Sequence, residues 1–348
     1  MKALVIKSTS TAYILEDGSK AILKGNFRTK GIRSTNPVAV GDYVEVECQA
    51  DGTQWITDIY DRKNYIIRKS TNLSKESHIL AANVDQVMLL VTINHPQTST
   101  TFIDRFLATC EAYRVPVILV FNKIDLLTDE EQVYLQQLRD LYESLGYPTL
   151  ALCAKELSNS SFSPSGRFNS SFSSSERLNS SLLSLLEGKV TLFSGNSGVG
   201  KSTLINALMG EDVTRVADIS QVHDTGMHTT TFSCMYSIPL NSKLAQRAST
   251  LNSHERTLVI DTPGIKGFGT FDMQKTEVSH YFREIFKMGQ NCRFSDCLHL
   301  PGTPGCAVID NIEHNSELLI QNSKFKIAYS RYESYVSLLG DSEDKKYR

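Results

Sequence analysis

Through residues 1 to about 70, short apolar runs come at close spacing: Ala3 to Ile6, Ala12 to Leu15, Ala21 to Leu23, Tyr43 to Val46 and Trp55 to Ile59. Asp17-Gly18, Gly41-Asp42 and Asp51-Gly52 separate several of them, a pattern that predicts a small OB-like β-barrel of about five strands. From about residue 84 the pattern changes. Buried-strand runs at Val87 to Thr92, Val117 to Phe121, Thr149 to Leu152, Lys189 to Phe193 and Leu258 to Ile260 alternate with helical stretches, which predicts a mostly parallel sheet covered on both faces. Tyr134, Leu138, Leu141 and Leu145 recur at three- and four-residue steps and give one core-facing helix stripe. Residues 158–184 repeat Asn-Ser-Ser at Asn159, Asn169 and Asn179; the segment is too polar for a packed repeat and reads as a disordered insert. Asn241 to Arg256 lengthens a hairpin connection. A helix near Glu277 to Phe286, a Cys/His cluster and a last helix with Tyr332, Val336 and Leu339 on one face complete the chain, with Asp341 to Arg348 frayed. The expected organisation is a barrel over 1–70, an α/β P-loop domain over 71–270 and a helical zinc-binding domain over 271–348.

At 348 residues, the length suits two or three such domains. The net charge of -2 gives no sign of a polyelectrolyte partner, but it is an average. Residues 1–70 hold 11 basic against 8 acidic groups, residues 71–270 hold 15 against 19, and residues 271–348 hold 10 against 11. The basic excess lies on the barrel, where Lys24, Arg28, Lys30 and Arg33 follow one another without a carboxylate; a basic barrel loop suits RNA. No run approaches the roughly 18 apolar residues of a membrane helix, and the N-terminus lacks an apolar signal core. The expectation is a cytoplasmic chain with no membrane contact, in which seven cysteines form no disulfide framework.

The strongest local signal is Gly195-Asn196-Ser197-Gly198-Val199-Gly200-Lys201-Ser202, between a strand-like run and the helical Thr203 to Met209. Backbone N–H groups of such a loop cradle phosphates, Lys201 reaches the β- and γ-phosphates, and Ser202 offers a hydroxyl to Mg²⁺. Asp261-Thr262-Pro263-Gly264 follows a buried strand, where Asp261 can hold a Mg²⁺-bound water and the Gly264 N–H can face the γ-phosphate. Asn122-Lys123-Ile124-Asp125 ends another strand. Asp125 accepts two hydrogen bonds from guanine, whereas adenine offers no such donor pair and would leave the carboxylate unpaired. Cys153-Ala154-Lys155 ends a further strand and brings a backbone N–H toward the guanine O6. Four loops at the carboxyl ends of strands describe one GTP pocket. The base-reading loops precede the phosphate loop, so a GTPase topology has been cut and rejoined.

Barrel, loop order Asn122 to Asp125, Cys153 to Lys155, Gly195 to Ser202, Gly226-Met-His-Thr-Thr230 and Asp261 to Gly264, then a Cys/His segment: together these resemble the circularly permuted small ribosomal subunit biogenesis GTPases. The resemblance covers all but the Ser-rich insert and Asn241 to Arg256. It implies binding of the 30S subunit and its 16S rRNA, late in subunit assembly and near the decoding region, with release when GTP is hydrolysed to GDP. Cys153 departs from a commoner Ser, a mild change where the contact is through backbone.

Ile265 and Lys266 follow Gly264, where Ras-like enzymes carry a water-orienting Gln. An apolar side chain cannot orient water, so slow intrinsic turnover is expected. His228, beside Thr229, Thr230 and Thr231, is the candidate catalytic group, and the resemblance points to the same residue; Thr230 is expected to ligand Mg²⁺ with Ser202. Cys292, Cys297, His299 and Cys306 form a Cys₃His set whose four protein ligands suit one structural Zn²⁺. Cys48, Cys110 and Cys234 read as small core residues. The chain is expected to act as a monomer. The competing reading is a GTP-dependent switch acting on a protein partner.

Overall fold

In the computed structural model, β1 (Lys2–Ser8), β2 (Tyr13–Leu15), β3 (Lys20–Leu23), β4 (Tyr43–Cys48) and β5 (Gln54–Ile59) close in the order β1-β2-β3-β5-β4-β1. The structure describes residues 1–9, 12–24, 37–50, 52–69, 77–159, 181–210, 233–238, 256–263, 273–313 and 326–343. Period-two alternation explains the closure: Ala3, Val5, Val44, Val46 and Ile56 point into one apolar interior with Leu15 and Ala21. Cys48 does not join it. Its place at the end of β4 leaves it exposed, which corrects its reading as a core residue; Cys110 and Cys234 are buried.

A hairpin that the sequence pattern did not disclose follows, β6 (Tyr65–Lys69) with β7 (Ser77–Ala82). The expected boundary at residue 70 falls in its connection. Beyond it, β8 (Gln86–Val91), β9 (Val117–Phe121), β10 (Thr149–Ala151), β11 (Val190–Ser194), β12 (Cys234–Ser237) and β13 (Leu258–Asp261) lie in the order β10-β9-β8-β11-β13-β12. All neighbours are parallel except β12 with β13. Among the described residues a single pairing, Lys7 with Cys234, joins the barrel to this sheet.

The sheet is covered on both faces. Val87, Leu89 and Val91 of β8 pack toward α1 (Thr100–Ala112) and α2 (Asp129–Ser144), while Met88 and Leu90 pack toward α4 (Lys201–Met209). The buried stripe of α2 is Leu135, Leu138, Leu141 and Tyr142, with Tyr134 half-buried beside it. Thr128 starts this helix with a capping box to Glu131. Between β10 and β11, α3 (Ala154–Asn159) enters the Ser-rich tract. At the far end residues 181–186 are helical with Leu182 buried, so the last residues assigned to the insert are folded; residues 160–180 lie outside the described set. The C-terminal part holds α5 (Arg283–Gly289), the short parallel pair β14 (Ile312–Glu313) and β15 (Ile327–Ala328), and α6 (Tyr329–Glu343). Tyr332 and Leu339 are buried on α6, with Tyr335 and Leu338 completing its inner face.

Candidate nucleotide site and metal centre

β11 ends against its neighbours so closely that only glycine fits next. Gly195 has φ of +143°, and a Cβ there would lie 2.3 Å from the Leu90 carbonyl oxygen. Gly200, at φ +99°, would bring its Cβ 2.3 Å from Asn122 Nδ2. The loop then turns directly into α4, whose first N–H groups have no intrahelical acceptor and no side-chain cap. Lys201 is 7% exposed, and its Nζ donates to the carbonyl oxygens of Gly195 and Asn196, each at 2.8 Å. Burial lowers its pKa to about 8, against the opposing pull of Asp261. Asp261, fully buried, ends β13 opposite Phe193 of β11, and the Thr262 hydroxyl donates to the Phe193 carbonyl at 3.0 Å. Ser202 is half-buried and Thr203 exposed on the first turn of α4.

On the base side, Asn122 follows β9 and is buried. Its Nδ2 donates to the Val199 carbonyl at 2.8 Å, and its Oδ1 accepts from the Ala154 N–H at 2.9 Å. One amide side chain thus ties the phosphate loop to both base-side loops, a role its motif position alone did not disclose. Lys123 sits at φ +61° with its Nζ donating to the His95 carbonyl, and Asp125 lies exposed in the 3₁₀ turn Ile124–Leu126. Burial and a hydrogen bond with the Asp125 side chain push the Cys153 thiol pKa up. Lys155 is exposed on α3. A further element was missed: the loop from Thr92 to Thr98 after β8 lies over the phosphate loop, with Pro96 Cδ 3.5 Å from the position a Gly198 Cβ would take. Its place follows from the adjacency of β8 and β11 in the sheet, which the sequence alone did not disclose. Gly264, His228, Thr230 and the rest of the Gly226 to Thr231 segment lie outside the described residues.

The Cys₃His set converges. Donor atoms of Cys292, Cys297, His299 and Cys306 all lie within 4.8 Å of one another. His299 Nδ1 is 3.5 Å from the sulfurs of Cys292 and Cys306, and those sulfurs are 3.9 Å apart. A tetrahedral zinc with Zn–S about 2.3 Å and Zn–N about 2.0 Å holds sulfurs roughly 3.8 Å apart and sulfur and nitrogen roughly 3.5 Å apart. The side chains therefore suit such an ion. Burial lowers the His299 pKa, favouring the neutral ligand form, and pushes the Cys306 thiol up to about 12, so deprotonation there needs a compensating cation. Tyr332 and Tyr335 of α6 donate to the carbonyls of His299 and Leu298, both at 2.8 Å, and anchor the ligand loop.

A glycine loop behind a buried parallel strand, with base-side loops placed ahead of it in the chain, defines the circularly permuted P-loop GTPases. The profile of the RsgA GTPase family matches residues 59–162 and 168–271. A Small ribosomal subunit biogenesis GTPase RsgA from Phocaeicola vulgatus is 49% identical over 352 residues, covering 100% of this chain and 99% of that one. One from Porphyromonas gingivalis is 48% identical at the same coverage. The crystal structure of YjeQ from Thermotoga maritima superposes with a TM-score of 0.62 at 27% identity over 98% of both chains. YloQ, titled a circularly permuted GTPase, shares the fold with a TM-score of 0.60 at 24% identity, covering 100% of this chain and 96% of that one. The chain belongs to the RsgA GTPase family. Among the described residues no helix is long and apolar enough to cross a membrane.

Proposed function

We propose that the chain hydrolyses GTP to GDP and phosphate, stimulated by the small (30S) ribosomal subunit, and acts in the late maturation of that subunit. The observation that carries this is the convergence of the Asn122, Ala154 and Val199 loops through one side chain, in a chain whose full-length relatives are named small ribosomal subunit biogenesis GTPases. In this reading the N–H groups of Gly195 to Thr203 and the Lys201 ammonium hold the phosphates, whose charge favours the protonated form that burial disfavours. Asp125 accepts from guanine, Lys123 and the Cys153 to Lys155 segment flank the base, and Asn122 keeps both sides in register. Ser202 and Thr230 would ligand Mg²⁺, with Asp261 and Gly264 on the γ-phosphate side; when bound, such an ion would screen developing charge on the phosphates. His228 would orient the attacking water in place of the absent Gln. The zinc-bearing segment and the basic barrel loop at Lys24, Arg28, Lys30 and Arg33 would meet 16S rRNA, with the chain acting as a monomer in the cytoplasm.

Phosphate release measured with and without purified small subunits tests the reading. Slow basal release, accelerated by the subunit and lost in His228→Ala with GTP binding kept, is the expected result. Turnover indifferent to the subunit would favour a switch acting on a protein partner, and unchanged stimulated turnover in the variant would remove His228 from the mechanism.

A further inference from the structure

α1 belongs to two cores at once. Phe102, Ile103, Phe106, Leu107 and Cys110 pack on the nucleotide sheet, while Ala108 packs with Phe282, Ile285 and Tyr335 of the zinc-bearing segment. Between the two cores lies a buried charge cluster. Arg331 of α6, 1% exposed, reaches Asp104 of α1 at 2.7 Å and Glu284 of α5 at 2.6 Å. The Tyr142 hydroxyl of α2 donates to the same Asp104 carboxylate at 2.8 Å, and the guanidinium lies 4.8 Å over the Phe282 ring. Desolvating one cation and two carboxylates is costly, and apolar side chains would hold two helices together more cheaply. What a bidentate, fully buried guanidinium adds is a defined relative placement of its partners. Two rim contacts cross the same boundary: Arg105 to Asp341 at 2.8 Å, and Arg283 to Glu111 at 2.7 Å and to the carbonyls of Leu145 and Gly146.

The N-terminal end of α1, one turn before Asp104, opens at the pocket. Its N-cap, Ser99, directly follows the loop whose Pro96 approaches Gly198 of the phosphate loop and whose His95 carbonyl receives Lys123. Asp104 lies five residues beyond Ser99, about 7 Å along the helix axis, so the first two turns of α1 link the nucleotide loops to the Arg331 contact. The link differs from the route suggested by chain order, in which Asp261 to Gly264 leads into the C-terminal region.

We propose that Arg331 is a positioning residue: by pinning the zinc-bearing segment to Asp104, it makes α1 and the Thr92 to Thr98 loop the connection through which the phosphate loop and that segment sense one another. The proposal rests on the reading of a subunit-stimulated GTPase for its consequence in turnover, but not for its structural signature. Hydrogen exchange on the full chain, with and without GTP and Mg²⁺, reads that signature. In the wild type the nucleotide should slow exchange both at residues 99–104 and at residues 331–339; in Arg331→Met only the first protection should remain. Stimulation by small subunits should fall on the order of tenfold in the variant, as expected for loss of a coupling between sites, while unstimulated turnover and the KM for GTP stay as in the wild type. A variant that keeps its zinc, melts cooperatively and retains full stimulation overturns the proposal. Should Arg331→Met lose its zinc, Arg105→Gln with Arg283→Gln, both on the rim, decides by the same comparison: reduced stimulation supports the proposal and undiminished stimulation overturns it. A wild type indifferent to the subunit would sink the functional reading alone. The exchange pattern then decides, and protection that never reaches residues 331–339 overturns the proposal.

Discussion

In the metal centre, four donors from residues 292–306 meet within 4.8 Å. In the candidate nucleotide pocket, residues 92–98, 122–125, 153–155, 195–202 and 261–263 are brought together only because β8, β9, β10, β11 and β13 lie side by side. The first is assembled by side chains whose donor set could hold an ion. The second is assembled by backbone, with glycines where strands and loops nearly touch and an asparagine as the clasp. Different substitutions should therefore damage them: loss of a donor in one, loss of space or of a charge in the other.

The largest expected effect is at the metal. Cys306→Ala should remove the zinc and unfold the C-terminal segment, since structural zinc contributes on the order of 10 kcal/mol in small sites. Metal content and a lost melting transition check it, and GTP binding by the nucleotide domain should survive. Lys201→Met comes next, with a loss of roughly 10²-fold or more in turnover, the usual result of removing one preorganised charge-stabilising donor.

The same lysine gives the pocket a pH signature of its own. Its unfolded form stays charged to near its ordinary value of 10.5, whereas in the nucleotide-free fold the proton leaves near 8. The burial of that charge thus costs stability in full below pH 8, and the cost fades as pH rises from 8 toward 10.5. Because bound phosphates favour the charged form, GTP binding above pH 8 should take up a proton and weaken as pH rises. Calorimetry in buffers of different ionisation enthalpy measures the uptake.

Two glycines sharpen the contrast further. Gly195→Ala would drive a Cβ to 2.3 Å from backbone at Leu90 in a strained φ region, at about 1–3 kcal/mol in denaturant melts. Gly289→Ala meets only the His299 ring, at 3.0 Å, and ring adjustment should hold the loss to about 1 kcal/mol or less. Equal losses would break the distinction between a backbone-built and a side-chain-built site.

Legibility in the sequence followed the same divide. The Cys₃His spacing named all four donors, because a site within one short segment needs no knowledge of topology. The phosphate loop and Asn122 to Asp125 were legible as local chemistry, and each predicted strand lies within a residue or two of an observed one, because buried parallel strands read as unbroken apolar runs. The β6–β7 hairpin was not legible, since its two strands are separated by polar residues that resemble a linker. Neither was Arg331. Arginine on a helix reads as solvent-exposed, and only the packing of α6 on α1 reveals its two buried carboxylates. Asn122 was legible as part of a motif but not as a clasp, because its partners at Val199 and Ala154 are set by strand order.

The most direct measurement of the central claim, that these loops form one guanine-reading pocket, is the affinity of the wild type and Asp125→Asn for GTP and for xanthosine triphosphate. Xanthine carries an oxygen where guanine carries its exocyclic amine, so an amide at position 125 can donate where the carboxylate accepted. The wild type should prefer GTP, and the variant should reverse that preference. A variant that binds both nucleotides as the wild type does would contradict the assignment of the pocket.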